Sequence, residues 1–300
     1  MPPPQSRRAR QAWGHIDWLL NPFRRREVAE IYDLMADDVL TERGLYLNLG
    51  YWRGAEDLDT ASAALAHLVA ETARMGPGDT VLDVGFGYAE QDLLWAQAYR
   101  PERIVGLNIT PSQVAAARQR VAEQGLEGRI ELHEASATAM PLADASVDKV
   151  VALECAFHFR SREDFFREAQ RVLRPGGILV LADIIPQPPA DGRLRRLWQR
   201  LDWRLVAGKF LIPKENAYPR AAYYDKLAAA GLEHVEVESI RDAVYGPLHR
   251  WLAANPQAVL RLHPAARWAA RLTLRLSPEV VYAGLDYVLA SAVKPLPAQG

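Results

Sequence analysis

From about residue 80 to about residue 183, short runs rich in valine, isoleucine and leucine alternate with longer segments whose apolar positions recur every three or four residues. The runs near 80–84, 103–107, 129–133, 147–153 and 178–183 predict strands, and the segments near 90–99, 111–124 and 161–172 predict helices between them. Pro111-Ser112 opens one helix, with Thr110 as candidate N-cap, and Arg174-Pro175-Gly176-Gly177 stops another. Strict strand–helix alternation predicts an α/β fold around a mostly parallel sheet. Two further strand candidates, His234 to Ile240 and Tyr287 to Lys294, flank a long helical stretch, and no internal repeat is visible.

The rest of the chain stands outside that alternation. Residues 1–12 are rich in proline and arginine and read as a disordered tail, as does Pro295 to Gly300. Residues 13–60 predict an N-terminal helical cap, and 61–300 a core with cap insertions at 185–222 and 241–285. With 300 residues and 49% hydrophobic content the chain can bury a large core. The 36 Lys and Arg against 37 Asp and Glu give no basic field, which argues against a nucleic-acid partner. A single cysteine, Cys155, excludes an internal disulfide, and no cluster of carboxylates or histidines at the predicted strand ends points to a metal. The start lacks the apolar core of a signal peptide and no run reaches membrane-spanning length, so a cytoplasmic location is expected. Oligomeric state stays open.

Chemistry concentrates first in Asp83-Val84-Gly85-Phe86-Gly87-Tyr88-Ala89-Glu90-Gln91-Asp92, directly after Val81-Leu82. This reads as a strand, a tight glycine turn and a helix start, which together make a nucleotide-cofactor site. A dinucleotide fingerprint requires glycine or alanine three residues after the second glycine, where a pyrophosphate rests on the helix N-terminus. That position is Glu90, whose carboxylate would repel a pyrophosphate. S-adenosylmethionine (SAM) has no phosphate and carries a sulfonium cation. The pattern resembles the first motif of class I SAM-dependent methyltransferases, with Ala89 where many members have a third glycine.

Other segments extend the resemblance, each with a plainer reading beside it. Asn108, in Gly106-Leu107-Asn108-Ile109-Thr110, stands where most members use Asp or Glu on the ribose, and is otherwise a turn asparagine. Ser136-Ala137 stands where an Asp-Ala pair commonly flanks the adenine, and is otherwise a loop. Gly50-Tyr51-Trp52 resembles the element that folds over the methionine end of SAM; Tyr51 suits the sulfonium, while Trp52 is equally an anchor for the N-terminal helix. His158, after Leu153-Glu154-Cys155-Ala156-Phe157, is a candidate general base at a strand end. Asp183 ends the next strand, within reach to orient that imidazole or hold substrate; a helix-capping histidine and a strand-ending aspartate are the bland alternatives. Glu154 reads as a brace for its loop.

With Leu173-Arg174-Pro175-Gly176-Gly177 and Ala182-Asp183-Ile184-Ile185-Pro186, these motifs lie in the order and spacing of antibiotic-sugar O-methyltransferases, which the chain resembles from about residue 24 to about residue 295. The resemblance implies a class I, Rossmann-like seven-stranded sheet whose last strand is antiparallel, helical caps, and SAM consumed with release of S-adenosylhomocysteine. It implies cofactor contacts at Tyr51, Asp83, Gly85, Gly87, Gln91, Asn108, Ile109, Gln113, Ser136, Ala137 and Glu154, with His158 and Asp183 as catalytic residues. Phe157 departs from members that carry a second histidine there.

The caps carry two arginine- and tryptophan-bearing segments, Arg193 to Arg204 and Arg261 to Arg275. These read as solvated faces, a surface for anionic lipid, or a clamp for a phosphorylated substrate. The expected activity is methyl transfer to a hydroxyl of a small natural product or its sugar. C- or N-methylation of a lipophilic or prenyl-diphosphate acceptor, with Phe157, Phe159 and Tyr51 stabilising a cation, is the alternative. A SAM-binding sensor without turnover and a dinucleotide oxidoreductase are the more distant ones.

Overall fold

In the computed structural model, residues 40–262 and 264–297 are described. The expected tail at 1–12, residues 13–39 of the expected cap and the last three residues lie outside the described residues. Helix α1 spans Leu58–Thr72 and starts at a capping box in which Asp57 and Thr60 satisfy each other's backbone N–H. The expected domain boundary at 60 therefore falls inside α1, whose apolar face (Leu65, Ala66, Val69, Ala70) belongs to the core.

Strands β1 (Thr80–Val84), β2 (Arg103–Asn108), β3 (Ile130–Glu134), β4 (Val147–Leu153) and β5 (Leu173–Pro186) alternate with helices α2 (Glu90–Ala98), α3 (Pro111–Glu123) and α4 (Arg162–Val172). Helices α5 (Arg193–Lys209) and α6 (Arg220–Ala229) precede β6 (Glu233–Ser239). Helices α7 (Tyr245–Ala254), α8 (Pro256–Val259), α9 (Pro264–Thr273) and α10 (Pro278–Val281) precede β7 (Leu285–Val293). The seven strands form one sheet in the order β3-β2-β1-β4-β5-β7-β6. The first five run parallel, and β7 inserts antiparallel between β5 and β6.

Alternation along the strands divides the core in two. Val81, Val151, Leu153, Val180 and Ala182 face a layer built with α1, α2 and α3, whereas Leu82, Val150, Ala152, Leu179 and Leu181 face one built with α4 and α6. Chain order reverses at β1, which has β2 on one side and β4 on the other, so the carboxyl ends of β1 and β4 form the switch point at which sheets of this kind place a ligand crevice. Among the described residues no helix is long and apolar enough to cross a membrane.

Candidate active site

The glycine turn sits at the carboxyl end of β1. Gly85 adopts φ +76°, and a Cβ there would lie 2.5 Å from the Cβ of Cys155, so the two strand ends approach as only glycine permits. Ala89, the N-cap of α2, is also left-handed at φ 58°. A glycine would take that conformation freely, and the alanine carries about 1 kcal/mol of strain. Asp83 is fully buried and accepts from Gln91 Nε2 at 2.9 Å; Gln91 also donates to the Phe86 carbonyl. Asp92 is buried beside it, and burial raises both carboxyls, Asp92 further through the charge of Asp83. The turn thus rests on a carboxyl pair that favours keeping a proton.

At the end of β2, Asn108 donates to Gln113 Oε1 at 2.9 Å and accepts from Thr110 N at 3.1 Å. Its side chain therefore shapes the turn that carries Ile109, a 48% exposed apolar residue at the crevice edge. Ser136 is exposed and bonds Thr138 N at 3.2 Å in a tight turn, next to buried Ala137.

Residues 41–52 form a strap across the turn. Tyr46, Asn48, Gly50 and Trp52 are buried in alternation with more open neighbours, the pattern of extended chain. Asp59, in the first turn of α1, accepts from the backbone N–H of Glu42 (2.7 Å), Arg43 (2.9 Å) and Gly44 (2.8 Å). Glu90 accepts from Leu45 N at 2.7 Å and pairs with Arg120, which in turn donates to the Tyr88 carbonyl. Glu154 Oε1 accepts from Leu49 N at 2.7 Å and Tyr287 Oη at 2.6 Å. Between these anchors Leu47 comes to rest on Gly87, where an added Cβ would stand 3.1 Å from its Cδ1. The sequence reads Glu154 as a brace for its own loop, whereas its bonds go to the strap and β7; it reads Glu90 only as a carboxylate against a pyrophosphate and does not mark Asp59, because an acid in a helix first turn already has a local explanation in the helix dipole. Trp52 is an anchor: it is 8% exposed, donates to the Leu49 carbonyl and packs 5.6 Å from Trp251. The Tyr51 ring lies beneath the Arg53 guanidinium at 5.7 Å.

His158 closes a short 3-10 turn, Ala156–His158, after β4. Its ring packs on Phe157 at 4.2 Å and faces Phe210, the C-cap of α5, at 6.4 Å. Burial pushes the imidazole down to about 4, with the nearby Arg162 charge acting in the same direction, while a hydrogen bond to the Phe210 carbonyl opposes them. The ring is neutral near pH 7, the form a base requires, though a weakly basic one.

Asp183 does not engage His158 as expected. One oxygen accepts from Arg162 Nε at 2.8 Å and Tyr223 Oη at 2.9 Å, the other from Ile184 N at 2.9 Å. The physical reason is Arg162, which with Asp183 is fully buried and whose charge requires a counterion. Arg162 also donates to the Asn216 and Ile184 carbonyls, and its N–H donates to Asn216 Oδ1 at 3.0 Å. The Asn216 amide then donates to the carbonyls of Phe157 (3.3 Å) and Phe159 (2.6 Å), one on each side of His158. Asp183 is thus connected to the His158 loop through Arg162 and Asn216, neither of which the sequence marks.

Three comparisons agree with this geometry. A family model described as a methyltransferase domain matches residues 82–181, from β1 to β5. The erythromycin 3''-O-methyltransferase of Saccharopolyspora erythraea is 39% identical over 292 residues, covering 94% of each chain. The 27-O-demethylrifamycin SV methyltransferase of Amycolatopsis mediterranei is 34% identical over 55% of this chain and 61% of its own. Among solved structures, the [4+2]-cyclase SpnF superposes with a TM-score of 0.71 at 24% identity, covering 90% of this chain and 96% of that one, a likeness of fold alone. The antiparallel β7 and the 39% identity across 94% of both chains place this chain in the class I SAM-dependent methyltransferases, alongside O-methyltransferases of natural-product biosynthesis.

Proposed function

We propose that the chain methylates a hydroxyl of a natural-product glycoside, with His158 receiving the hydroxyl proton. The observation that carries this reading is a neutral imidazole at the crevice end of β4, on a loop gripped from both sides by Asn216. The relative at 39% identity is named for a sugar-borne 3''-oxygen, which supports an oxygen acceptor of that class. SAM supplies a methyl already activated on a sulfonium, so the protein's contribution is alignment and removal of one proton. As the acceptor oxygen bonds the methyl carbon and the sulfonium–methyl bond breaks to leave neutral S-adenosylhomocysteine, the hydroxyl proton passes to the His158 ring. Asp183 acts as a positioning residue through Arg162 and Asn216.

The same reading assigns the cofactor contacts. Asp83, Gly85, Gly87 and Gln91 support its methionine end under the strap with Tyr51 and Glu154; Asn108, Ile109 and Gln113 border its ribose, and Ser136 and Ala137 its adenine. The exposure of Ile109 supports this, since an apolar side chain open at a crevice edge suits a purine face. Methylation of a prenyl carbon fits less well: Phe157 is 5% exposed behind His158, and Phe159 packs edge-on against Phe165 at 5.0 Å. Phe157 is closed to a developing carbocation, and the Tyr51 ring already lies under the Arg53 guanidinium.

The test is incubation of the chain with trideuteromethyl SAM and a panel of macrolide glycosides carrying free sugar hydroxyls, read by mass spectrometry. The expected result is label on a sugar oxygen. Label on carbon overturns the oxygen acceptor, and SAM binding without transfer to the panel or to host metabolite extract favours a sensor.

A further inference from the structure

Among the described residues, helix α5 carries a face with no partner. Leu194, Leu197, Trp198, Leu201 and Leu205 are 83%, 64%, 44%, 46% and 57% exposed. At the helical period they fall within one stripe along an element of 17 residues, about 25 Å long. The half-buried positions Gln199, Asp202, Trp203 and Val206 form a different face, which seats the helix on the body: Asp202 accepts from Gly284 N at 2.7 Å, and Trp203 and Val206 reach the core. An exposed leucine has no individual explanation to give, but a row of them on one helix marks an interaction surface.

Charge says what kind. The helix has five arginines, one lysine and a single acid, Asp202, whose carboxylate faces the body. Arg193, Arg200 and Arg204 are exposed and line one edge of the apolar stripe at the helical period. Trp198 keeps its ring in the stripe while its N–H donates to the Val280 carbonyl at 3.0 Å, and Val280 is itself 38% exposed, so the surface continues onto α10. Apolar side chains and a tryptophan flanked by long arginines form the pattern of a helix lying in a lipid headgroup layer, where the stems bury and the guanidinium groups meet phosphate. A second copy of the chain would set arginines against arginines across a two-fold axis.

We infer that α5 docks this enzyme on an anionic membrane surface through Leu194, Leu197, Trp198, Leu201 and Leu205, with Arg193, Arg200 and Arg204 held at the headgroups. The helix ends at Phe210, whose carbonyl accepts from His158, so docking brings the crevice close to the bilayer. The inference concerns the partner of α5 and stands apart from the identity of the acceptor.

Flotation of the full chain with lipid vesicles tests it. The chain is expected to float with vesicles of phosphatidylcholine containing about one third phosphatidylglycerol, not with phosphatidylcholine alone, and flotation weakens between about 0.1 and about 0.5 M salt. L197D/L201D is expected to lower the bound fraction about tenfold with melting temperature and SAM affinity unchanged, and R200E/R204E to lower it less. No flotation overturns the inference. So does flotation that L197D/L201D leaves intact, which would make the contact purely electrostatic. A sedimenting dimer that L197D/L201D dissociates would also overturn it and give the face to a second copy.

Discussion

The strap at 41–52 and helix α5 both flank the crevice, and they are held by opposite means. Carboxylates rooted in the body (Asp59, Glu90 and Glu154) take five backbone N–H groups of the strap. Helix α5 is held instead by mostly exposed side-chain bonds of Arg196, Trp198, Gln199 and Asp202, and it exposes its apolar stripe. A buried acceptor left without its donor loses solvation as well as the bond, so the strap is fixed to the turn it covers. An exposed stripe sets no such condition. On the function proposed above, the contrast separates a wall of the cofactor site from a surface with another purpose.

The loop after β4 carries Glu154, an anchor of the strap, and four residues on His158, which reaches Phe210 at the end of α5; the largest effect is expected at His158. His158→Ala should lower kcat by about two to four orders of magnitude with SAM affinity nearly intact, measured by steady-state kinetics and calorimetry. A base acts above its own pKa, so the rate should rise through about pH 4 and stay flat from 6 to 8. A limb near 6.5 would show that this burial does not persist in the working enzyme.

Next in size is the ion pair behind that loop. Asp183→Asn leaves the buried Arg162 charge uncompensated and should cost about 3–5 kcal/mol in urea unfolding. Asp202→Asn on α5, at a half-buried position with one backbone donor, should cost about 1 kcal/mol or less. Equal costs would erase the distinction between the regions.

The strap adds a pH signature. Burial raises the Glu154 carboxyl to about 7, against bonds from Tyr287 and Leu49 that pull it down. The folded chain holds a proton that the unfolded chain releases above about pH 4.3, so this stabilisation is complete below that value and is lost as pH rises through about 7. Melting temperature should therefore fall between about pH 5 and 8, and Glu154→Gln should flatten the slope without abolishing it, because burial raises Asp83 to about 7 as well.

These sites show where sequence is a sufficient guide. The run at 147–153 is β4 to the residue, because its second half, Val150-Val151-Ala152-Leu153, is buried on both faces and leaves a continuous apolar signal. Strand β5 extends beyond its expected 178–183, since Gly176 and Gly177 bond Lys294 at the end of β7, a partner more than a hundred residues away. The glycine turn was legible because its geometry restricts residue type locally. Arg162 was not: a cation in the first turn after Ser161 looks solvated, and its burial depends on Asp183 and Asn216, 21 and 54 residues onward. Trp52 could be read either way, and only its burial and its bond to the Leu49 carbonyl show an anchor.

Asp59 tests the strap alone. Asp59→Ala removes the acceptor of three N–H groups and should loosen residues 42–44, raising the SAM dissociation constant about tenfold in calorimetry. Asp59→Asn keeps one carbonyl acceptor and should recover part of that loss. A strap that binds SAM equally well without Asp59 would be a bystander.

The smallest expected effect is the sharpest test of α5. Leu201→Lys replaces a side chain that is 46% exposed, so no cavity opens and no polar group is stranded. Its unfolding free energy should stay within about 0.5 kcal/mol of the parent. A methylene-rich lysine stem can lie along the same stripe, leaving helix packing through Asp202, Trp203 and Val206 as it was. A loss of about 2 kcal/mol or more would mean that the stripe is covered in the free chain by residues beyond those described, since only a buried leucine carries that cost. In that case α5 would resemble the strap after all, an element fixed inward, and its arginines would be the rim of a closed surface.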